Sequence, residues 1–515
     1  MEHPARNLLT GTLTKYLLLL VNIVIGIFLM PFTMRHLGTA EYGLWMLAAS
    51  MTAYLQLLDL GYGNGLVRQV TQADARGDDE AVNEILSTFL VVYIAIAVIA
   101  VAAIGVLAVG VIPRFPNLSA AEIDTARWVL ILIGARLALA FPMSVFGAIT
   151  AARQRFALTG SIAIAVALAQ AAATYLVLRS GDGLVTMVAV TSAIGVLSYV
   201  PYAWAAKLTF PGLRLSPFRF SARQVREVTA FSMYLFLISI SIHVGTNADN
   251  LIIGAYLGTT SVAVYTVALR LADYQRQLCG QFTGLLFPVL VRFHEREDVA
   301  ALRVALIDGT RIALALVTGI TLCLMAFARP LVELWMGPSF VDSILPLYVL
   351  AVLGIVAVAQ GPAGNILLAA GRQRLVAYAS LVDISANVAL SVLLVTRYGL
   401  TGVALGTAVP YVLLNVGIIM PVAARLAGVP ARAFAAEVCV PALVGSIPPL
   451  LLAAYFRWFM GAGSLVAVIA QGAAVGLLYL LTFCAVGLRS ADRARYLNSV
   501  WRHRIGGARP TAALW

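Results

Sequence analysis

The sequence predicts an all-α polytopic membrane protein, with about fourteen transmembrane helices in two six-helix pseudo-symmetric lobes and two further C-terminal helices. Three observations predict it. Of the 515 residues, 61% are hydrophobic and only 11% are charged, and mean hydropathy is +0.93; soluble chains carry about 25% charged residues. Apolar runs recur along the whole length, each near the roughly 20 residues that cross about 30 Å of hydrocarbon as a helix. Finally, a pattern near residue 37 returns near residue 257, and self-similarity at a fixed offset marks a duplicated architecture.

The spans are expected at 10–34, 43–66, 86–112, 126–150, 157–178, 184–206, 229–257, 260–287, 304–328, 344–370, 375–396, 401–424, 435–457 and 464–488. The first apolar run, 16–34, is long for a signal-peptide core and has no clear small-x-small cleavage site after it, so it reads as a retained span. Spans one to six form an N-lobe, 1–206, and spans seven to twelve a C-lobe, 229–424. Between them, 207–228 is a cytoplasmic linker with Pro211, Pro217 and five basic residues; 425–488 adds spans thirteen and fourteen, and 489–515 is a basic cytoplasmic tail. With the amino terminus inside, 24 of the 35 Lys and Arg residues fall in inner segments and 7 in outer ones. The positive-inside rule therefore places both termini in the cytoplasm. The net charge of +12 is absorbed by these loops and the tail, and no soluble domain is present to bind nucleic acid.

The repeat is carried by two matches. Leu37-Gly38-Thr39 corresponds to Leu257-Gly258-Thr259, and Arg153-Gln154-Arg155 to Arg372-Gln373-Arg374, at nearly equal offsets and equivalent topological positions. Six spans per half is an even number, so both halves enter from the same side, as in parallel repeats about an axis along the membrane normal with a cavity between lobes.

The candidate site residues are charged and polar groups inside apolar spans, where charge is costly and faces a bundle interior or an aqueous path. In span eight, Arg270 lies about ten residues, or roughly 15 Å, from the outer end. Arg270, Asp273, Tyr274, Gln277 and Gln281 share one helical face, and Arg276 adds a second guanidinium, the group suited to phosphate. The alternative is a self-satisfied relay from Arg270 through Asp273 to Arg276. Asp249 in span seven and Asp383 in span eleven, one turn before Asn387, are either ion-coupling carboxylates or packing acceptors; Asp249 could also pair with Arg270. In 59–68, DLGYGNGLVR, three glycines in five residues make a poor helix interior. They predict either a hinge or a helix end, with Asp59, Asn64 and Arg68 near the inner mouth. Arg136 in span four either faces the cavity or packs. Asp308 and Arg311 read as an ordinary helix pair, His243 as a packing residue, and Pro142 and Pro362 as kinks.

Several chemistries are excluded. Lys15 and Lys207 are the only lysines, and neither sits in a Walker A context. Cys279, Cys323, Cys439 and Cys484 lack metal-ligand spacing and read as free packing thiols. No metal motif, nucleophile constellation or large extramembrane loop points to an enzyme, and no cofactor is expected.

Arg35-His-Leu-Gly-Thr-Ala-Glu-Tyr-Gly-Leu-Trp45, followed by Leu57-Leu-Asp-Leu-Gly-Tyr-Gly-Asn-Gly-Leu-Val-Arg68, resembles the opening of the polysaccharide-type flippases. These are the O-antigen and exopolysaccharide repeat-unit flippases of the multidrug/oligosaccharidyl-lipid/polysaccharide exporter superfamily. Asp249, Leu257-Gly258, Tyr265 and Arg270 resemble the start of that family's second lobe. The resemblance covers essentially the whole chain and implies a MATE-like fold in a bacterial inner membrane. It implies an alternating-access carrier, not an enzyme, that moves a polyprenyl-diphosphate-linked oligosaccharide to the outer leaflet. Membrane lipid, a polysaccharide polymerase and a chain-length regulator are the partners it implies, with the carrier a monomer. A peptidoglycan lipid-precursor flippase is the nearest alternative. A multidrug cation antiporter fits poorly with Arg270 and Arg276, and a membrane glycan polymerase fits poorly with the short outer loops.

Overall fold

In the computed structural model the described residues run from 4 to 487, so the basic tail 489–515 lies outside them. All regular structure among the described residues is helical. Ten stretches are long and apolar enough to cross a membrane, which makes the chain a multi-pass membrane protein. Two of them, Leu13–Ala75 and Gln373–Leu426, are 63 and 54 residues long, well over twice the roughly 20 residues that one crossing needs. Left-handed or extended glycines interrupt them at Gly38 and Gly399. The fourteen spans expected from sequence count both parts of those stretches and add the helices Ala222–Leu257 and Thr259–Glu295.

The repeat reappears in the backbone. Gly38 has φ 81 and ψ 166, and Gly258, 220 residues later, has φ 83 and ψ 174. Only a residue without Cβ adopts this region readily. The left-handed turn at Gly77 recurs at Glu297, and that at Asn117 recurs at Gly337, again 220 residues apart. Immediately after the first pair, Asp78 and Asp298 cap the next helices. Each carboxylate accepts the N–H three residues on, Ala81 and Ala301, at 2.9 Å. The Arg-Gln-Arg match is out of register by two residues. The Arg155 N–H closes onto the Thr150 carbonyl as the Arg372 N–H closes onto Leu367, so the left-handed residues that correspond are Gln154 and Gly371.

The described residues cluster into two compact units, the first drawn from 1–270 and 373–411 and the second from 271–372 and 412–515. In the first, the helical segment after Gly38 runs antiparallel to Ala222–Leu257. Gly43, Leu47 and Ser50 share one helical face and meet Thr259, Gly254 and Asn250 in turn. At Gly43 the approach is so close that a Cβ would lie 1.8 Å from the Thr259 carbonyl oxygen. Further along, Leu60 (φ 51) and Gly61 (φ 75) break the helix, which is the interruption that the glycines of 59–68 predict. Helix resumes at Tyr62, whose hydroxyl lies 3.1 Å from the Thr229 hydroxyl. Arg153 anchors the same unit. Its guanidinium donates twice to Asp74 (3.0 and 2.7 Å) and once to the Thr209 carbonyl, and lies over the Phe210 ring.

In the second unit Gln275 is buried. It donates to the Thr321 hydroxyl and the Ala351 carbonyl, and it packs where Gly354 leaves room. Arg311 forms the helix pair with Asp308 that the sequence predicts and adds a longer-range contact. It is only 5% exposed and, besides Asp308 at 3.1 Å, donates to the Glu437 carbonyl at 3.0 Å. Pro362 opens the helix Gly361–Ala369 directly after Ile344–Ala359 ends, whereas Pro142 sits inside the uninterrupted helix Ala120–Ala152. The four cysteines are free thiols.

Candidate functional site

Arg270 is exposed, and among the described residues no hydrogen bond or ion pair engages its guanidinium. The relay through Asp273 does not form: Asp273 pairs with Arg276, one turn on, and both are half-buried. Gln277 is exposed and Tyr274 half-buried. The Gln281 side chain lies outside the described residues. Along this helix, Arg276 is therefore committed to a carboxylate while Arg270 keeps its five donors available.

Asp249 is 2% exposed and does not reach for Arg270. Its Oδ2 accepts from the Tyr265 hydroxyl at 2.5 Å, and the Thr407 hydroxyl reaches its two oxygens at 3.0 and 3.1 Å. Neighbouring Asn250 donates to the Ser50 hydroxyl at 2.9 Å. Asp383 and Asn387 share a face of the helix that follows Arg372, and each has an Oδ1 buried without a hydrogen-bond partner. Such acceptors are rare in folded proteins and call for an explanation, ordered water, strain or a functional role among them.

At the helix break, Asp59 is held in place. Its Oδ1 accepts from the buried Tyr93 hydroxyl at 2.9 Å and its Oδ2 from the Gly63 N–H at 3.2 Å. Beside it a cavity of about 260 Å³ opens among residues of the first unit. A second cavity, about 190 Å³, is lined by Arg68, Gln69, Gln72 and Glu227, and Asn64 is exposed nearby in sequence. Arg136 is half-buried and fills the notch left by Gly195, where a Cβ would lie 2.3 Å from its Nε; the Tyr199 hydroxyl donates to the Arg136 carbonyl at 3.0 Å. Arg136 thus lies between the helices Ala120–Ala152 and Leu184–Leu197.

Comparison with known families decides the kinship. Residues 8–294, more than half of the chain, match the family described as "Polysaccharide biosynthesis protein". The chain belongs to this family. Among its relatives, the uncharacterized membrane protein EpsK of Bacillus subtilis (strain 168) is 24% identical over 460 residues, covering 87% of each chain. The teichuronic acid biosynthesis protein TuaB of the same organism is 22% identical over 220 residues, or 42% of each chain. Among solved structures, the lipid II flippase MurJ in an inward closed conformation matches with TM-score 0.71 at 12% identity, over 96% of this chain and 99% of that one. An inward-facing MATE-family multidrug resistance transporter matches with TM-score 0.67 at 14% identity, over 80% and 95%. This polysaccharide biosynthesis family member therefore shares the fold of these two structures.

The cavity beside Asp59 is the feature that sequence reasoning misses. Asp59 is legible from its glycine neighbours, but Ser144, Ser239 and His243 join it only through contacts between distant segments.

Proposed function

We propose that the protein is an alternating-access flippase that carries a polyprenyl-diphosphate-linked oligosaccharide repeat unit from the cytoplasmic to the outer leaflet for surface polysaccharide synthesis. The observation that carries this reading is Arg270, an exposed guanidinium with no hydrogen-bond or ion-pair partner among the described residues, in a polysaccharide biosynthesis family member. In this reading Arg270 lies at membrane depth, where a cation without a carboxylate partner is costly, and a diphosphate relieves that cost through bidentate, charge-assisted bonds. In this reading the 1–206 and 229–424 lobes rock against each other, the chain sits in a bacterial inner membrane with both termini cytoplasmic, and it transports rather than catalyses. A polymerase and a chain-length regulator would act on the delivered unit.

With no Walker A motif in the sequence, transport draws on an ion gradient or on consumption of the delivered unit. Asp249 and Asp383 are the foremost coupling carboxylates, because one is held by neutral hydroxyls and the other has an unpartnered oxygen. Asp59 and the paired Asp273 stand behind them. The near-complete structural match to a lipid II flippase keeps a peptidoglycan-precursor substrate as the second reading.

Arg270→Ala is expected to abolish export of surface polysaccharide and to leave lipid-linked glycan accumulated inside, with membrane insertion and protein level unchanged. Arg270→Lys should restore part of the export, since a point charge replaces a fork. Normal export by a well-expressed Arg270→Ala protein would sink the diphosphate role.

A further inference from the structure

Resting on the flippase reading, we infer that the cavity at the Leu60–Gly61 break is a seat for one uncharged sugar ring of the transported glycan. The helix break creates it. Leu60 and Gly61 both turn left-handed, so the chain steps aside just where Gln56 and Asp59 precede it. The opposite walls come from the helix Ala120–Ala152, through Phe141 and Ser144, and from Ala222–Leu257, through Phe236, Ser239 and His243.

The chemistry of the lining selects the ligand. No lysine or arginine lines the cavity, and its one carboxylate repels a phosphate. Asp59 is fixed by Tyr93 and Gly63, yet each of its oxygens has lone pairs left for hydroxyl donors. Gln56, Ser239 and His243 make no hydrogen bond to another described residue through their side chains, although they converge on the same void. They offer both donors and acceptors, as a polyol requires, while Phe141 and Phe236 supply apolar faces. A few placed polar groups among aromatic walls is the usual make-up of a small-molecule site. At about 260 Å³ the space falls below the roughly 300–1,000 Å³ of pockets for drug-sized ligands, so it suits a single ring and not a chain.

The test uses the full-length protein in lipid nanodiscs, with Cys279, Cys323, Cys439 and Cys484 replaced by serine or alanine and Ser239→Cys added. The rate of N-ethylmaleimide labelling at that thiol is followed with methyl glycosides of neutral and N-acetylated hexoses as probes, and with inorganic pyrophosphate as a control. At least one glycoside should slow labelling several-fold in a saturable manner, with pyrophosphate without effect. Adding Gln56→Leu should remove that protection, judged against the unprotected labelling rate of the same double variant. Labelling unaffected by every glycoside, as a cavity that holds only water would give, overturns the inference, and so does protection by pyrophosphate. Because the measurement needs no export, its failure is distinct from that of the flippase reading: loss of protection beside an export-dead Arg270→Ala protein removes only the sugar seat.

Discussion

At the scale of single residues, what separates the charges in these helices is the company they keep. Asp273 has Arg276, Asp308 has Arg311, and Asp74 has Arg153. Each pair cancels its own charge locally and holds a helix or a turn in place. Asp249 accepts hydrogen bonds from the hydroxyls of Tyr265 and Thr407, groups that orient a carboxylate and carry no charge of their own. Asp249→Asn would retain an oxygen acceptor for those hydroxyls and little change in shape. Its thermal stability should therefore stay close to that of the parent, while export loses its response to the ion gradient when sodium or proton gradients are collapsed separately. Unfolding at a much lower temperature would instead make Asp249 a packing acceptor. The i, i+3 partner of Asp273 is legible in sequence, because helical spacing alone brings the two together. The partners of Asp249 are only half so. Tyr265 follows across a short hairpin, but Thr407 lies 158 residues away, and nothing local announces it.

At the scale of elements, the turns carry the memory of duplication, and they do so through conformation more than through identity. Gly38 and Gly258 are the same residue in the same backbone state, so sequence and structure agree there. Gly77 and Glu297 share a left-handed turn with different residues, and so do Gln154 and Gly371. This explains why the Arg-Gln-Arg match misplaces the register: side-chain likeness is one signal and backbone need another. The mismatch also makes a prediction. A left-handed residue with a Cβ costs about 1–2 kcal/mol relative to glycine, less the greater freedom glycine has in the unfolded chain. Gln154→Gly should thus be neutral to stabilising, whereas Gly371→Gln should lower stability by about 1 kcal/mol, read as a fall in the melting temperature of the detergent-solubilised protein. Equal effects of both changes would mean that the two turns are not equivalent. The break at Leu60–Gly61 is legible from the glycines around it, but the cavity beside it is not, since its walls come from segments near 56, 141 and 239. Local propensity fixes where a helix stops; long-range packing fixes what the stop faces.

At the scale of the whole molecule, hydropathy and charge distribution carry most of what the sequence can say, because a bilayer leaves so few choices. Backbone groups in hydrocarbon must be bonded within the segment, so long apolar runs can only be helices, and the loops between them sort by Lys and Arg content. That sorting yields the last prediction. With both termini on one side, as the spans expected from sequence would place them, the Lys and Arg residues divide 24 to 7 in favour of that side, with Arg114 and Arg397 among the few on the other. Alkaline phosphatase matures only where its disulfides can form, outside the cytoplasm, while green fluorescent protein reports the cytoplasmic side. A phosphatase fused after residue 487 should be inactive and a fluorescent protein there bright. Inserted at Gly399, a turn with φ 56 between two helices, phosphatase should be active and the fluorescent protein dark. The reversed pattern at both sites would invert the protein in the membrane. Transport from the cytoplasmic leaflet would then have to begin at the Gly38 and Gly258 end of the helices, and the direction assigned to the flippase would fall with it.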